Sequence, residues 1–488
     1  MDNENLSIHD VKSRSVRGVV VLTGRTLVLQ IVSLVAQLLL FAYLGVSEFG
    51  VFAIVSAVVN FLTYFSDIGL AAALIQKKDA PSETDLKTTF TVQQILMLIL
   101  LILLIFFSPL IVSHYSLTVS GKYLLYALGF SLWISSFKSI PSVLLERKLE
   151  FVKLVFPQIL ETFVYNIILV FLAMKGFGIT SFTIAVVVRS LVGLVTIYWI
   201  QPWRLGFAFS TSTLKGLFKF GVPYQVNTLL ATFKDDGMVL ILGGIIGPIG
   251  IGVLSFAQKV ARLPLTFFMD TVTRVTFPAF SRLQLEKDHL ERSVTRSIFF
   301  ICLLVFPSLV GIIILMPWIV ELIPKYNKWT IALVPLIFVS INFAFAAATT
   351  QLTNLLNAIG KIKITFYLMI MWTVLTWALI PLLAIKFGVN GASIGYSLVG
   401  LSSIVAIYIA KKYVNFSIYD SIIKPLVASL IMFLVLIFLK KFLSVSFYSL
   451  GILTLAGVIT YAVSIVSMIG VSLVEDAKKS FKTIFNRN

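Results

Sequence analysis

The sequence predicts an all-α integral membrane protein. It expects about fourteen transmembrane helices, in two parallel six-helix lobes around a central cavity, with two further helices at the C-terminus. Three observations carry that expectation. The 488 residues are 59% hydrophobic and only 12% charged, where a soluble chain carries about 25% charged residues. The apolar residues gather in runs of bilayer-crossing length, and mean hydropathy is +1.01. The two halves of the chain also echo each other. Large soluble catalytic domains are excluded, because no polar-rich stretch exists to build one.

A helix needs about 20 mainly apolar residues to cross the ~30 Å hydrocarbon layer. The first half supplies Val19–Leu44, Phe49–Leu74, Phe90–Val112, Tyr123–Val143, Leu154–Met174 and Ile179–Ile200. The second half supplies Phe220–Gly243, Gly250–Phe277, Val294–Trp318, Thr330–Leu356, Ile364–Ile385 and Asn390–Ala410. Pro425–Phe442 and Tyr448–Leu473 follow. The polar start before the first run does not resemble a cleaved signal peptide.

Net charge is +18, from 39 Lys+Arg against 21 Asp+Glu. With the N-terminus inside, most basic residues fall in the two tails and the inner connections, as in Lys77-Lys78, Arg147-Lys148 and Lys411-Lys412. The other face holds only Lys122, Lys175, Lys325, Lys328, Lys386, Lys440 and Lys441 outside the spans. Cytoplasmic loops are enriched in Lys and Arg, so the expectation is a multi-pass protein of the cytoplasmic (inner) membrane with both termini cytoplasmic. The cations are spread over many short segments, which argues against nucleic acid as a partner. The single cysteine, Cys302, allows no intramolecular disulfide. His9, His114 and His289 lack metal-ligand spacing, so no metal or other cofactor is expected.

The echo is specific in order. Gly45, Gly50 and Val51 recur as Gly247, Gly252 and Val253, 202 residues on. Leu144-Leu145 ahead of Arg147 matches Leu355-Leu356 ahead of Lys361, and Lys175 matches Lys386. Ser190-Leu191-Val192-Gly193-Leu194 returns as Ser397-Leu398-Val399-Gly400-Leu401. An even number of spans per copy makes the repeat parallel, about an axis along the membrane normal. The expected organisation is a tail at 1–18, an N-lobe at 19–200 and a basic linker at 201–219 that contains a candidate interfacial helix. A C-lobe at 220–410, a helix pair at 411–473 and a tail at 474–488 complete it.

Ionisable groups inside a bilayer are costly and face a cavity or a partner. The basic ones are Arg25, Lys138, Arg189, Lys234, Lys259, Arg262 and Arg274; the acidic ones are Asp67, Glu161, Asp235, Asp236 and Asp270. Counted from the turn at Val46, Arg25 and Asp67 share a level and are candidates to pair. Counted from Pro248, Lys234, Asp235 and Asp236 share the midplane with Lys259 and Arg262, which fall on one helix face. Arg189 sits mid-span. Cations outnumber anions at that depth, so the expected cavity suits an anion such as a phosphorylated lipid head group. Arg25, Arg189, Lys234, Lys259 and Arg262 are the candidate substrate-binding residues. Asp67, Glu161, Asp235 and Asp236 are candidates for ion coupling or pairing. Gln225, Gln351 and similar span residues have sugar-binding potential but individually serve more often as interhelical hydrogen bonders.

The stretches Gly45-Val46-Ser47-Glu48-Phe49-Gly50, Phe65-Ser66-Asp67-Ile68-Gly69-Leu70 and Phe277-Pro278-Ala279-Phe280-Ser281-Arg282 resemble polysaccharide flippases. These belong to the multidrug/oligosaccharidyl-lipid/polysaccharide exporter superfamily. The resemblance spans essentially the whole chain. It implies a V-shaped bundle that turns a polyprenyl-pyrophosphate-linked oligosaccharide from inner to outer leaflet by alternating access, with no enzymatic step. It further implies that Arg25 and Lys259/Arg262 contact the pyrophosphate. The Lys234-Asp235-Asp236 cluster departs from that pattern. Expected partners are the lipid-linked substrate, membrane lipids and the polymerase or glycosyltransferases of the same pathway, with the protein itself a monomer. A cation-coupled drug exporter would need an acid-dominated cavity. A membrane polymerase or ligase would need a roomy outer loop, and the expected outer connections are short.

Overall fold

The computed structural model describes the backbone of residues 8–469 and the side chains of most of them. Every regular element among the described residues is helical. The first is α1 (Ile8–Tyr43), which ends at Gly45. There the Gly45 N–H donates to Glu48 Oε2 at 2.6 Å, capping the start of α2 (Val46–Asp67). Ile68 and Gly69 follow with φ of 49° and 74°, and these two left-handed residues separate α2 from the short α3 (Leu70–Gln76). Glycine is required at 69, because a Cβ there would strike the Gly221 backbone.

Next comes α4 (Glu83–His114), begun by a reciprocal Ser82/Asp85 capping box. Its most apolar window is only 17% buried, so its outer face is lipid-facing surface. The pair α5 (Val119–Ser136) and α6 (Ser139–Arg147) meets at a bend of 43°. Arg147 donates from Nη1 to the carbonyls of Leu74, Ile75 and Lys77 and from Nη2 to that of Asp79. It thereby satisfies the end of α3, where a helix leaves its last carbonyls without intrahelical partners. The pair α7 (Phe151–Met174) and α8 (Ile179–Ile200) is joined by a tight turn with positive φ at Gly176 and Gly178.

Residues 201–210 run without regular structure along α4, held where Ala208 N donates to Thr91 Oγ1 at 3.1 Å. Then α9 (Thr211–Leu283) begins. Leu214, Leu217 and Phe218 on its first turns pack with Trp203 against Leu70, Leu74, Phe90 and Ile140. Further on come α10 (Lys287–Leu322), a 3₁₀ stretch at Pro324–Ala332, α11 (Leu333–Ala358) and α12 (Ile362–Leu401). The chain closes with α13 (Ser403–Tyr413), a π turn, α14 (Lys424–Lys440) and α15 (Phe447–Ile469).

Eleven of these helices are long and apolar enough to cross a membrane, or twelve with the bent pair counted as one span. The sequence expects fourteen. The difference arises because Gly247 (φ 65°, ψ −178°) and Gly388 (φ 60°, ψ −141°) are single non-helical residues inside α9 and α12, each separating two helices that follow one another without a gap. Each run therefore takes in two of the stretches that the apolar pattern separates. At Gly388 the chain doubles back, since a Cβ on Gly391 would meet the Leu383 carbonyl and one on Gly395 would meet Ile380.

Two compact units divide between Gly252 and Val253. In the first, α7 lies between α1 and α8, α8 packs on α5, and α5 on α2 and α4. Two backbone approaches there are reciprocal. A side chain on Gly50 would strike the Pro248 carbonyl, and one on Gly252 would strike that of Val46. In the second unit, α11 packs between α10 and α12, and α14 with α15 closes on α10 around Ile314, Trp318, Met432, Leu436 and Leu453. Lipid offers helices no hydrophobic drive to associate, so small residues carry the close contacts, as where Gly400 meets Asn342. Gln225 donates to the Tyr64 carbonyl at 2.8 Å, and Gln351 bonds Thr273 and Thr276 at 2.9 Å each. These two glutamines are interhelical bonders here.

Candidate functional site: a cationic cavity in the first unit

Glu161 on α7 is a carboxylate only 8% exposed. Burying a charge is expensive unless it is paired, and two helices supply the partners. Lys138 Nζ donates to Glu161 Oε1 at 2.7 Å, and Arg189 Nε on α8 lies 3.7 Å from Oε2. Gly193, one turn beyond Arg189, leaves the space that the Glu161 carboxylate fills.

Lys138 reaches Glu161 because the chain breaks there. It is the second of the two residues between α5 and α6, and Pro141 sits in the first turn of α6. Such a break frees backbone groups that must find partners inside a bilayer. The Tyr198 hydroxyl donates to the Phe137 carbonyl at 3.2 Å. Gln94 on α4 donates to Ser136 Oγ at 2.8 Å and accepts from Trp133 Nε1 at 3.1 Å. The bend is thus fixed by side chains from two other helices.

Arg25 on α1, with Lys138, Gln158, Glu161 and Arg189, lines a cavity of about 340 Å³. The volume lies within the ~300–1,000 Å³ of small-molecule pockets. Arg25 Nε and Gln158 Oε1 are both buried without a hydrogen-bond partner. The Arg189 guanidinium lies over the Tyr165 ring at 5.4 Å. Three cations face one carboxylate, so the cavity carries surplus positive charge and unused donors. Such a site holds an oxyanion by charge-assisted hydrogen bonds, with arginine suited to two-pronged contacts on phosphate.

The structure brings together Arg25, Arg189 and Glu161 from the sequence-derived set and adds Lys138. Sequence reasoning marked Lys138 only as a charge within a span; the signal for its role was Pro141, which places a helix break beside it. Arg25 and Asp67 do not pair. Asp67 instead accepts from Ala71 N at 3.2 Å across the α2–α3 break, while α1 turns Arg25 toward α7. Asp236 is hydrogen-bonded to Asn60, and Asp235 is exposed; neither lines the cavity. Lys259 and Arg262 are exposed on α9 in the second unit. The side chains of Lys234, Asp270 and Arg274 lie outside the described residues.

The chain is similar to known proteins in sequence and in fold. The succinoglycan biosynthesis transport protein ExoT of Rhizobium meliloti is 23% identical over 414 residues, covering 82% of this chain and 81% of that protein. The lipopolysaccharide biosynthesis protein WzxC of Escherichia coli is 22% identical, covering 74% and 73%. Among solved structures, the lipid II flippase MurJ in its inward closed conformation superposes with a TM-score of 0.73 at 20% identity. It covers 91% of this chain and 98% of that one, and shows that the fold is shared. A family model described as polysaccharide biosynthesis protein matches residues 39–334, more than half the chain. The chain is therefore a member of the polysaccharide biosynthesis protein family.

Proposed function

We propose that the protein is a flippase for a lipid-linked oligosaccharide, a transporter rather than an enzyme, serving cell-surface polysaccharide synthesis. The observation that carries the reading is the cavity in which Arg25, Lys138 and Arg189 face the single carboxylate of Glu161. Family membership, a relative named as a transport protein and a shared fold with a lipid II flippase support it. The substrate is a polyprenyl-pyrophosphate-linked repeat unit, moved from the inner to the outer leaflet by alternating access. Arg25 and Arg189 hold the phosphates, and Lys259 and Arg262 are further substrate-binding cations of the second unit. Reading the kinks at Gly247 and Gly388 as turns between spans gives fourteen crossings. The termini then share one side, and the basic connections make that side cytoplasmic. Residues 19–200 and 220–410 form the two lobes, 201–219 links them, and 411–473 adds the last pair. The protein acts as a monomer alongside the polymerase or glycosyltransferases of its pathway.

The test is transport of a fluorescent lipid-linked oligosaccharide in proteoliposomes, read by its accessibility to an external quencher. Leaflet exchange that depends on the protein and fails in Arg25→Ala is expected. Exchange at the protein-free rate would overturn the reading. A cation-coupled drug exporter is disfavoured by the same cavity, because organic cations would meet a positive wall.

A further inference from the structure

We propose that Glu161 is a resident counter-ion that competes directly with the incoming phosphate group for Lys138 and Arg189, and so sets how readily the cavity releases its ligand. The inference deepens the flippase reading and rests on it.

Four observations lead there. Both carboxylate oxygens of Glu161 are turned to cations, Oε1 to Lys138 and Oε2 to Arg189. These are the cations a phosphate in the cavity would use. Their hold on Glu161 is unequal: Lys138 makes a hydrogen bond at 2.7 Å, whereas Arg189 stands off at 3.7 Å with its side chain 48% exposed. A ligand can therefore recruit Arg189 with little loss. Arg25 on α1 offers Nε, a buried donor that has no partner. Finally, the cavity volume of about 340 Å³ lies within the range of small-molecule pockets, enough for a phosphorylated head group.

With a phosphate seated, Lys138 and Arg189 lie between two anions. The carboxylate and the phosphate then repel across a few ångströms, in a site where charges are screened less than in water. Without Glu161, three cations would grip the phosphate tightly. A carrier needs binding firm enough to load and weak enough to unload. The carboxylate supplies the second half of that requirement. Gly193 is part of the same device, because any side chain there would occupy the seat of the carboxylate.

The experiment uses full-length protein in nanodiscs and inorganic pyrophosphate as the probe, titrated calorimetrically, with elution profile and melting temperature as folding controls. Glu161→Gln should bind pyrophosphate roughly tenfold tighter or more than wild type. Arg25→Ala and Lys138→Met should bind more weakly. Glu161→Ala serves as an independent variant: it too should bind tighter, and added formate, refilling the carboxylate's place, should weaken binding back toward wild type. If Glu161→Gln and Glu161→Ala bind no tighter than wild type while Arg25→Ala and Lys138→Met lose binding, the counter-ion role is overturned and the cavity remains a phosphate site. If wild type, Arg25→Ala and Lys138→Met bind alike, or neither wild type nor Glu161→Gln binds, both the role and the phosphate reading of the cavity fall.

Discussion

Two groups of intramembrane cations in this chain, similar in composition, are built in opposite ways. In the first unit, Lys138 and Arg189 converge on Glu161 from separate elements, and Arg25 joins them in one cavity. In the second, Lys259 and Arg262 lie three residues apart on a single helix and are exposed. The first group ties three helices together; the second sits on one helix and is open to whatever approaches that face. The contrast teaches that charge at a given depth can be built in two ways. Enclosed among neighbouring side chains, it is coupled to stability. Exposed on one helix, it is more available to a ligand.

The largest effects should fall on export of the surface polymer in a complemented deletion strain. Arg25→Ala, and separately the Lys259→Ala/Arg262→Ala pair, should each lower it by on the order of 100-fold or more, since charged hydrogen bonds contribute ~1.5–3 kcal/mol apiece. Full export in the second-unit double variant would confine substrate binding to the first unit. Next, Lys138→Ala should lower stability by about 2–3 kcal/mol, less than a fully buried pair would lose because the cavity admits solvent. Adding Glu161→Gln should recover most of that, which melting temperatures in detergent would reveal. Recovery failing to occur would mean that Lys138 matters to the fold beyond its carboxylate.

Smaller losses should separate the packing of the cavity from its charge. Gly193→Ala forces a methyl group against the Glu161 carboxylate and should destabilise by about 1–3 kcal/mol. Arg147→Ala strips four carbonyls near the end of α3 of their donor and should destabilise by roughly 1–2 kcal/mol. The smallest effect sharpens the contrast most. Lys259→Ala/Arg262→Ala should leave stability, read by thermal melting, within ~0.5 kcal/mol of wild type, as exposed substitutions do. A marked loss would show that these two cations also hold helices together.

The helical membrane fold was legible because its cause is compositional: apolar runs of bilayer length admit few other structures. The partners of the charges were not. Counting residues from a turn gives depth along a helix but not the direction a side chain faces. Arg25 and Asp67 stand equally far from the turn at Val46, yet α1 packs along α7, so Arg25 meets the cavity while Asp67 caps α3. Arg189 and Glu161 were both visible as span charges, and only the pairing of α7 with α8 brings them together. Lys138 was hidden by a helix break whose position depends on Gln94 and Tyr198, far away in sequence. Gly247 and Gly388 show the converse. Both fall where the sequence places a connection, and that connection is a single residue of non-helical backbone with helix directly on either side.

The reciprocal approach of Gly50 to the Pro248 carbonyl and of Gly252 to the Val46 carbonyl has an evolutionary consequence. Positions 46 and 248, like 50 and 252, stand 202 residues apart. The obstacle to any side chain at either glycine is main chain, which no mutation elsewhere can trim. Related chains can drift freely in lipid-facing positions, while this joint has no second-site suppressor and should persist as glycine at both positions.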